Sequence, residues 1–135
     1  MIMSGIRTRL AQDSGISALV PSDRVYIGMA QRESRRPYIV CYRVDAPPAG
    51  VTLDGSSALK DGLFQFDSYA DTQIDAEKLA KLVEASLEDY GGTLPDNSTI
   101  QFYETQNCGD DAYEVGGASF IFRSVLRMRA FFTEA

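Results

Sequence analysis

One stretch limits what this chain can fold into more than any other: a strand that runs straight into a helix. LFQFDSYA, from Leu63 to Ala70, is followed at once by DTQIDAEKLAKLVEASLEDY, from Asp71 to Tyr90. Side chains alternate along a strand, so Phe64, Phe66, Ser68 and Ala70 share one face. Leu63, Gln65, Asp67 and Tyr69 share the other. In the helix, Ala76, Leu79, Leu82, Val83, Ser86, Leu87 and Tyr90 recur at helical spacing and form one apolar stripe. Thr72 with Asp75 suits a capping box at the start, and Asp71 competes for the cap. Gly91-Gly92 is expected to stop the helix, because glycine enters the left-handed region without a Cβ clash. Laying the stripe on the Phe64/Phe66 face satisfies both elements, so the pair is expected to form the core.

A length of 135 residues with 44% apolar content suits one domain, spanning residues 1–135, with a core of ordinary size. No apolar run reaches the length of a membrane span. The opening MIMSGIRTRLAQDSG lacks the apolar stretch and cleavage site of a signal peptide. Cys41 lies in an apolar strand and Cys108 in a polar stretch, which suits free thiols in a reducing compartment. Two features exclude functions. The chain has no histidine, which removes the commonest general base and metal ligand together with serine– or cysteine–histidine triads. Its net charge of −6 argues against a protein whose task is to grip nucleic-acid phosphates.

In chain order, a short helix is expected from Ser4 to about Ala11, broken near Gly15. Its Arg7 and Arg9 read as a solvated face before an anion contact. A strand follows at Val25 to Met29, then the polar loop QRESRR. PYIVCYRV is apolar on both parities and reads as a central strand, with Cys41 a small buried hydrophobe rather than a nucleophile. Asp45 to Gly62 is a long proline- and glycine-rich loop that can hold a local hairpin turning at Asp54-Gly55. Ser98 to Glu104 is a strand. Gln106 to Gly117 reads as a solvated acidic loop without calcium-loop spacing.

The last strand, Ala118 to Phe132, carries Phe122, Leu126, Met128, Ala130 and Phe132 on one parity. Arg123, Arg127 and Arg129 lie on the other, with Ile121, Val125 and Phe131. That second face reads in two ways. It is a solvated sheet face with a carboxylate such as Asp67 opposite an arginine, or it is an intersubunit face, which arginine mixed with apolar groups suits. The fold expected is α+β: a mostly antiparallel sheet of about five strands with two helices packed on one face.

ALVPSDRVYIGMAQRESRRPYIVCYRV, then LDG, then FQFDSYADTQIDAEKLAKLVEASL, resembles the phage tail-completion family. These are the tail-terminator or tail-to-head joining proteins of long-tailed phages and prophages. The likeness runs from Ala18 to Leu87, with a fainter echo in Asp111-Ala112-Tyr113-Glu114 and the last strand. The QRESRR loop departs from the shorter, proline-containing form of the family.

The resemblance implies a structural virion protein of the tail or neck, assembled in the host cytoplasm, and not an enzyme. It implies a ring, hexameric in the family, that caps the tail tube and joins it to the head connector or stopper protein. DNA would pass through the channel without specific binding, and no cofactor or metal is implied. On this view Pro47, Pro48, Val51, Leu53 and Asp54 are candidate tube-contacting residues. Asp110, Asp111 and Glu114 are candidates for an acidic lumen, with Asp54 and Asp61 a second choice. Two other readings stay open: a head-side adaptor or connector stopper, and a small-molecule module with Tyr26, Tyr38, Tyr42 and Tyr103 lining a pocket.

Overall fold

The computed structural model describes residues 1–30, 35–47, 51–52, 55–56, 59–115 and 119–134, with the backbone alone described at 51–52, 55–56 and 115. In chain order the elements are α1 (Ile2–Gln12), α2 (Ser14–Ser17), β1 (Val25–Ile27), β2 (Tyr38–Asp45), β3 (Val51–Thr52) and β4 (Gly55–Ser56). They continue with β5 (Lys60–Ala70), α3 (Gln73–Leu87), β6 (Gly91–Thr93), β7 (Thr99–Val115) and β8 (Ser119–Thr133). Six strands form one sheet in the order β1-β2-β5-β8-β7-β6. The α+β class is as expected. The sheet has one more strand than expected and is mixed, because β1 pairs with β2 in parallel. Among the described residues there are three helices rather than two.

Strand β5 and helix α3 do form the centre, as expected. Phe64, Phe66, Leu79 and Val83 share one buried cluster. Removing each such side chain from water stabilises the fold by roughly 1.5–3 kcal/mol. Thr72 is the cap of α3: its hydroxyl accepts from the Asp75 N–H at 3.2 Å. The competing Asp71 instead pairs with Arg36. The helix ends earlier than expected. Leu87 is its last residue, Asp89 takes the left-handed conformation (φ 56°), and Gly91 and Gly92 open β6. A strand partner for the start of β7 thus wins over a longer helix.

α1 begins at Ile2 and buries Ile2, Ile6 and Leu10 at four-residue intervals. The chain breaks at Asp13, whose carboxylate accepts from the Gly15 and Ile16 N–H groups and so starts α2. β5 starts at Lys60, ahead of the expected Leu63, and β3 pairs with β4 as the local hairpin anticipated. The turn at its tip, residues 53 and 54, lies outside the described residues.

The largest correction concerns residues 106–115. They do not form a loop; they continue β7, which pairs with β8 from Thr99↔Thr133 to Val115↔Ser119 through two bulges. β5 accompanies β8 only as far as Phe122, opposite Ala70. The end of the β7–β8 hairpin therefore projects past the rest of the sheet.

Candidate assembly surface

The helices cover one face of the sheet, and the other face is open. On the covered side Phe64, Phe66, Leu126, Met128, Ala130 and Phe132 are buried. The alternation of β5 and β8 puts Gln65, Asp67, Arg123, Val125, Arg127 and Arg129 on the open side, with Ile121. β2 adds Val40 and Tyr42, and β7 adds Asp111 and Tyr113.

This open face buries polar groups of its own. Gln65 is 6% exposed and Asp67 3% exposed, although no element lies over them among the described residues. Their neighbours' long side chains provide the cover. Arg127 Nε donates to Gln65 Oε1 at 2.9 Å, and Gln65 Nε2 donates to Asp67 Oδ1 at 2.9 Å. Tyr42 OH reaches Asp67 Oδ2 at 3.5 Å, and the Arg123 guanidinium stands 3.7 Å from the same oxygen. Arg123 also forks onto Asp111, with Nε to Oδ1 at 2.9 Å. Burial pushes the Asp67 carboxyl above its usual range, against the lowering effects of the Gln65 hydrogen bond and the Arg123 charge.

Aromatic pairs bound this polar strip at both ends. Tyr38 stacks on Tyr69 at 4.7 Å and meets Tyr26 edge-on at 5.9 Å, while Tyr69 lies 6.4 Å from Tyr113. At the far end Tyr103 stacks on Phe131 at 4.6 Å and its hydroxyl donates to Asp61 at 2.8 Å. Tyr103 is thus a sheet's length from Tyr26 and Tyr38, so the four tyrosines do not line one pocket.

The arginines, Ile121 and Val125 singled out from the sequence do share one face. Each arginine also has a partner within the chain: Asp111 and Asp67 for Arg123, Gln65 for Arg127, and Asp61 for Arg129 at 3.9 Å. Asp110, Asp111 and Glu114 lie on a strand instead of a loop, exposed. Of the loop candidates, Pro47 is exposed and its carbonyl accepts from the Asp61 N–H at 3.0 Å. Pro48, Leu53 and Asp54 lie outside the described residues, and Val51 is described only as backbone. Cys41 is buried, and burial pushes its thiol up to about 12, which suits packing and not nucleophilic attack. Among the described residues no three histidine, cysteine, aspartate or glutamate side chains gather to hold a metal.

Sequence reasoning missed the outer part of β7 and the burial of Gln65. A signal for the first was present: an alternating strand as long as β8 needs a partner along its length to satisfy its backbone groups.

The chain matches the family described as Tail completion protein gp17 over residues 4–132. No curated protein matches it in sequence. Among solved structures it resembles a chain of the "Virion of native gene transfer agent (GTA) particle" at TM-score 0.64 and 18% identity, covering 99% of this chain and 95% of that one. A second solved chain superposes at TM-score 0.61 and 14% identity, covering 98% and 96%. At such identities the structural likeness is one of fold.

Proposed function

Because this chain belongs to the tail completion protein gp17 family, and is therefore a structural protein of a phage-like virion tail, we propose that it closes the end of the tail tube as a ring, hexameric like the family form, and joins the tail to the head connector. The observation that carries this reading is the family match along nearly the whole chain. A tail tube is an open head-to-tail stack in which each ring exposes the surface that adds the next. A terminator must match that end on one side and withhold the growing surface on the other.

The long β2–β5 connection, with Pro47, Pro48, Val51, Leu53 and Asp54, is the segment we assign to the tube side. The open face with Arg123, Arg127, Arg129, Ile121 and Val125 is assigned to contacts between subunits. Its arginines already serve Asp67, Gln65 and Asp61, so an incoming carboxylate would extend a network that exists. Asp110 and Glu114 suit a lumen through which DNA slides without adhering, since basic walls would bind its phosphates.

The test is a lysate in which this gene product is absent, viewed in the electron microscope. Headless tails, some overlong, beside filled heads without tails are expected. Tails of normal length joined to heads would overturn the proposal.

A further inference from the structure

The two lateral ends of the sheet carry opposite charge at matching heights. β6 covers only Thr99 to Gln101 of β7, so among the described residues the outer edge of β7 from Tyr103 to Val115 has no strand partner. Glu104, Asp110 and Glu114 are exposed along it and have no ion-pair partner among the described residues. Beside this edge a cleft of about 250 Å³ opens between β7 and α3, lined by Glu77, Lys81, Glu84, Asn107 and Asp110. Its carboxylates outnumber its one ammonium.

The opposite end is basic. Among the described residues Arg24, Arg35, Arg36 and Arg43 outnumber Asp23, Asp45 and Asp71 there. Arg36 is tied to Asp71, while Arg24 donates to the Arg35 carbonyl at 3.1 Å and so holds the two residues together. The register sets the heights. Asp110, Ser124, Ser68 and Ile39 form one row across the sheet, which ends at Val25 on β1. Arg24 directly precedes Val25, so Arg24 stands level with Asp111, and its hydrogen bond keeps Arg35 beside it. In the same way Arg43, Phe64 and Met128 lie in a row that ends at Thr105, next to Glu104.

Extended along the direction in which the strands are stacked, one copy therefore brings its arginines to the next copy's acids. We propose that the acidic β7 edge and its cleft receive the arginine-bearing β1–β2 end of a second copy of this chain, with Arg35 directed into the cleft. This deepens the ring reading above and rests on it, but it adds the sheet edges to the open face as subunit contact and takes Asp110 out of the lumen into that contact. Head-to-tail contact of this kind uses both ends of every copy, and in a closed ring leaves no edge free for indiscriminate pairing. The two β7 bulges and its carboxylates discourage pairing with any other strand, and the matching cations select this one.

The experiment is the molar mass of the purified full chain by size-exclusion chromatography with light scattering. The wild type is expected to assemble at low salt and to dissociate toward monomer as salt is raised, since exposed ion pairs are screened. Asp110→Lys/Glu104→Lys and Arg35→Glu/Arg43→Glu change exposed side chains, so each variant is expected to run alone as a folded monomer. An equimolar mixture of the two variants is expected to recover assembly, because each supplies an end complementary to the other. A wild type that stays monomeric, an assembly indifferent to both reversals, or a mixture that stays dissociated would overturn the inference. These outcomes are separate from the tail role. If the edges assemble as proposed but lysates without the protein hold normal tails, the terminator reading fails alone.

Discussion

The two faces of one sheet solve burial in different ways. The covered face meets α1 and α3 with apolar side chains, and Phe64, Phe66, Phe102 and Phe132 are all at or below 1% exposed. Among the described residues no helix lies over the open face, yet Gln65, Asp67 and Val40 are buried there too. The first is closed by shape and hydrophobic transfer, which are non-directional. The second is closed by a chain of directed hydrogen bonds from Arg127 through Gln65 to Asp67. A face built in the second way keeps polar groups at its surface and stays soluble while it is unpartnered. That is what a protein needs if it folds first and assembles later.

The widest gap between the faces should appear on truncation. Phe66→Ala is expected to cost about 3–5 kcal/mol, since the ring is fully buried against a packed core. An unchanged melting temperature would show that the covered face is not the seat of stability.

On the open face the cost should follow hydrogen bonding instead of volume. Arg127→Met keeps the cover over Gln65 but removes the donor to its amide oxygen, and is expected to cost about 1–3 kcal/mol. The double variant Arg127→Met/Gln65→Leu leaves no orphaned amide and should recover most of that loss. Equal losses in the single and double variants, read from denaturant midpoints, would mean that the face is held by packing after all.

A smaller effect of opposite sign is expected on the covered face at Ser68. Its hydroxyl is buried without a hydrogen-bond partner among the described residues. Ser68→Ala should therefore stabilise by about 1 kcal/mol, the reverse of what the same truncation would do on the open face.

The smallest effect is the titration of Asp67. Burial holds its folded carboxyl above the unfolded range, so the protonated form favours the native state. Its contribution is full below the unfolded pKa and is lost as pH rises through the folded one. Stability of the wild type relative to Asp67→Asn should therefore be greatest at the acid end of the titration and decline with rising pH. A difference that is flat across the acid range would place Asp67 in a solvated setting, and one that rises would mean that Arg123 and Gln65 outweigh its burial; either would break the contrast between the faces.

Much of the covered face was legible beforehand, because alternation in β5, the helical stripe of α3 and the Thr72 cap are properties of neighbouring residues. The separation of Arg123, Arg127 and Arg129 from Leu126 and Met128 was legible for the same reason. The outer half of β7 was not. Asn107 to Glu114 are exposed on both faces, so no burial imposes a period-two pattern on them, and their polarity mimics a loop. The end of α3 was misjudged because Gly91 and Gly92 look like a helix stop, whereas their backbone is committed to pairing with Gln101 and Ile100.

The sequence by itself determined the class of the fold and which residues face together, since periodicity is written in side chains a few positions apart. Its agreement with the tail completion family is likewise a matter of ordered local patterns. Tertiary structure alone decided the parallel entry of β1, the full reach of the β7–β8 hairpin and the burial of Gln65 and Asp67 beneath Arg127 and Arg123. Each of these rests on register between strands far apart in the chain, such as Gln65 opposite Arg127. Register is settled by the energy of the whole sheet, and no local stretch carries it.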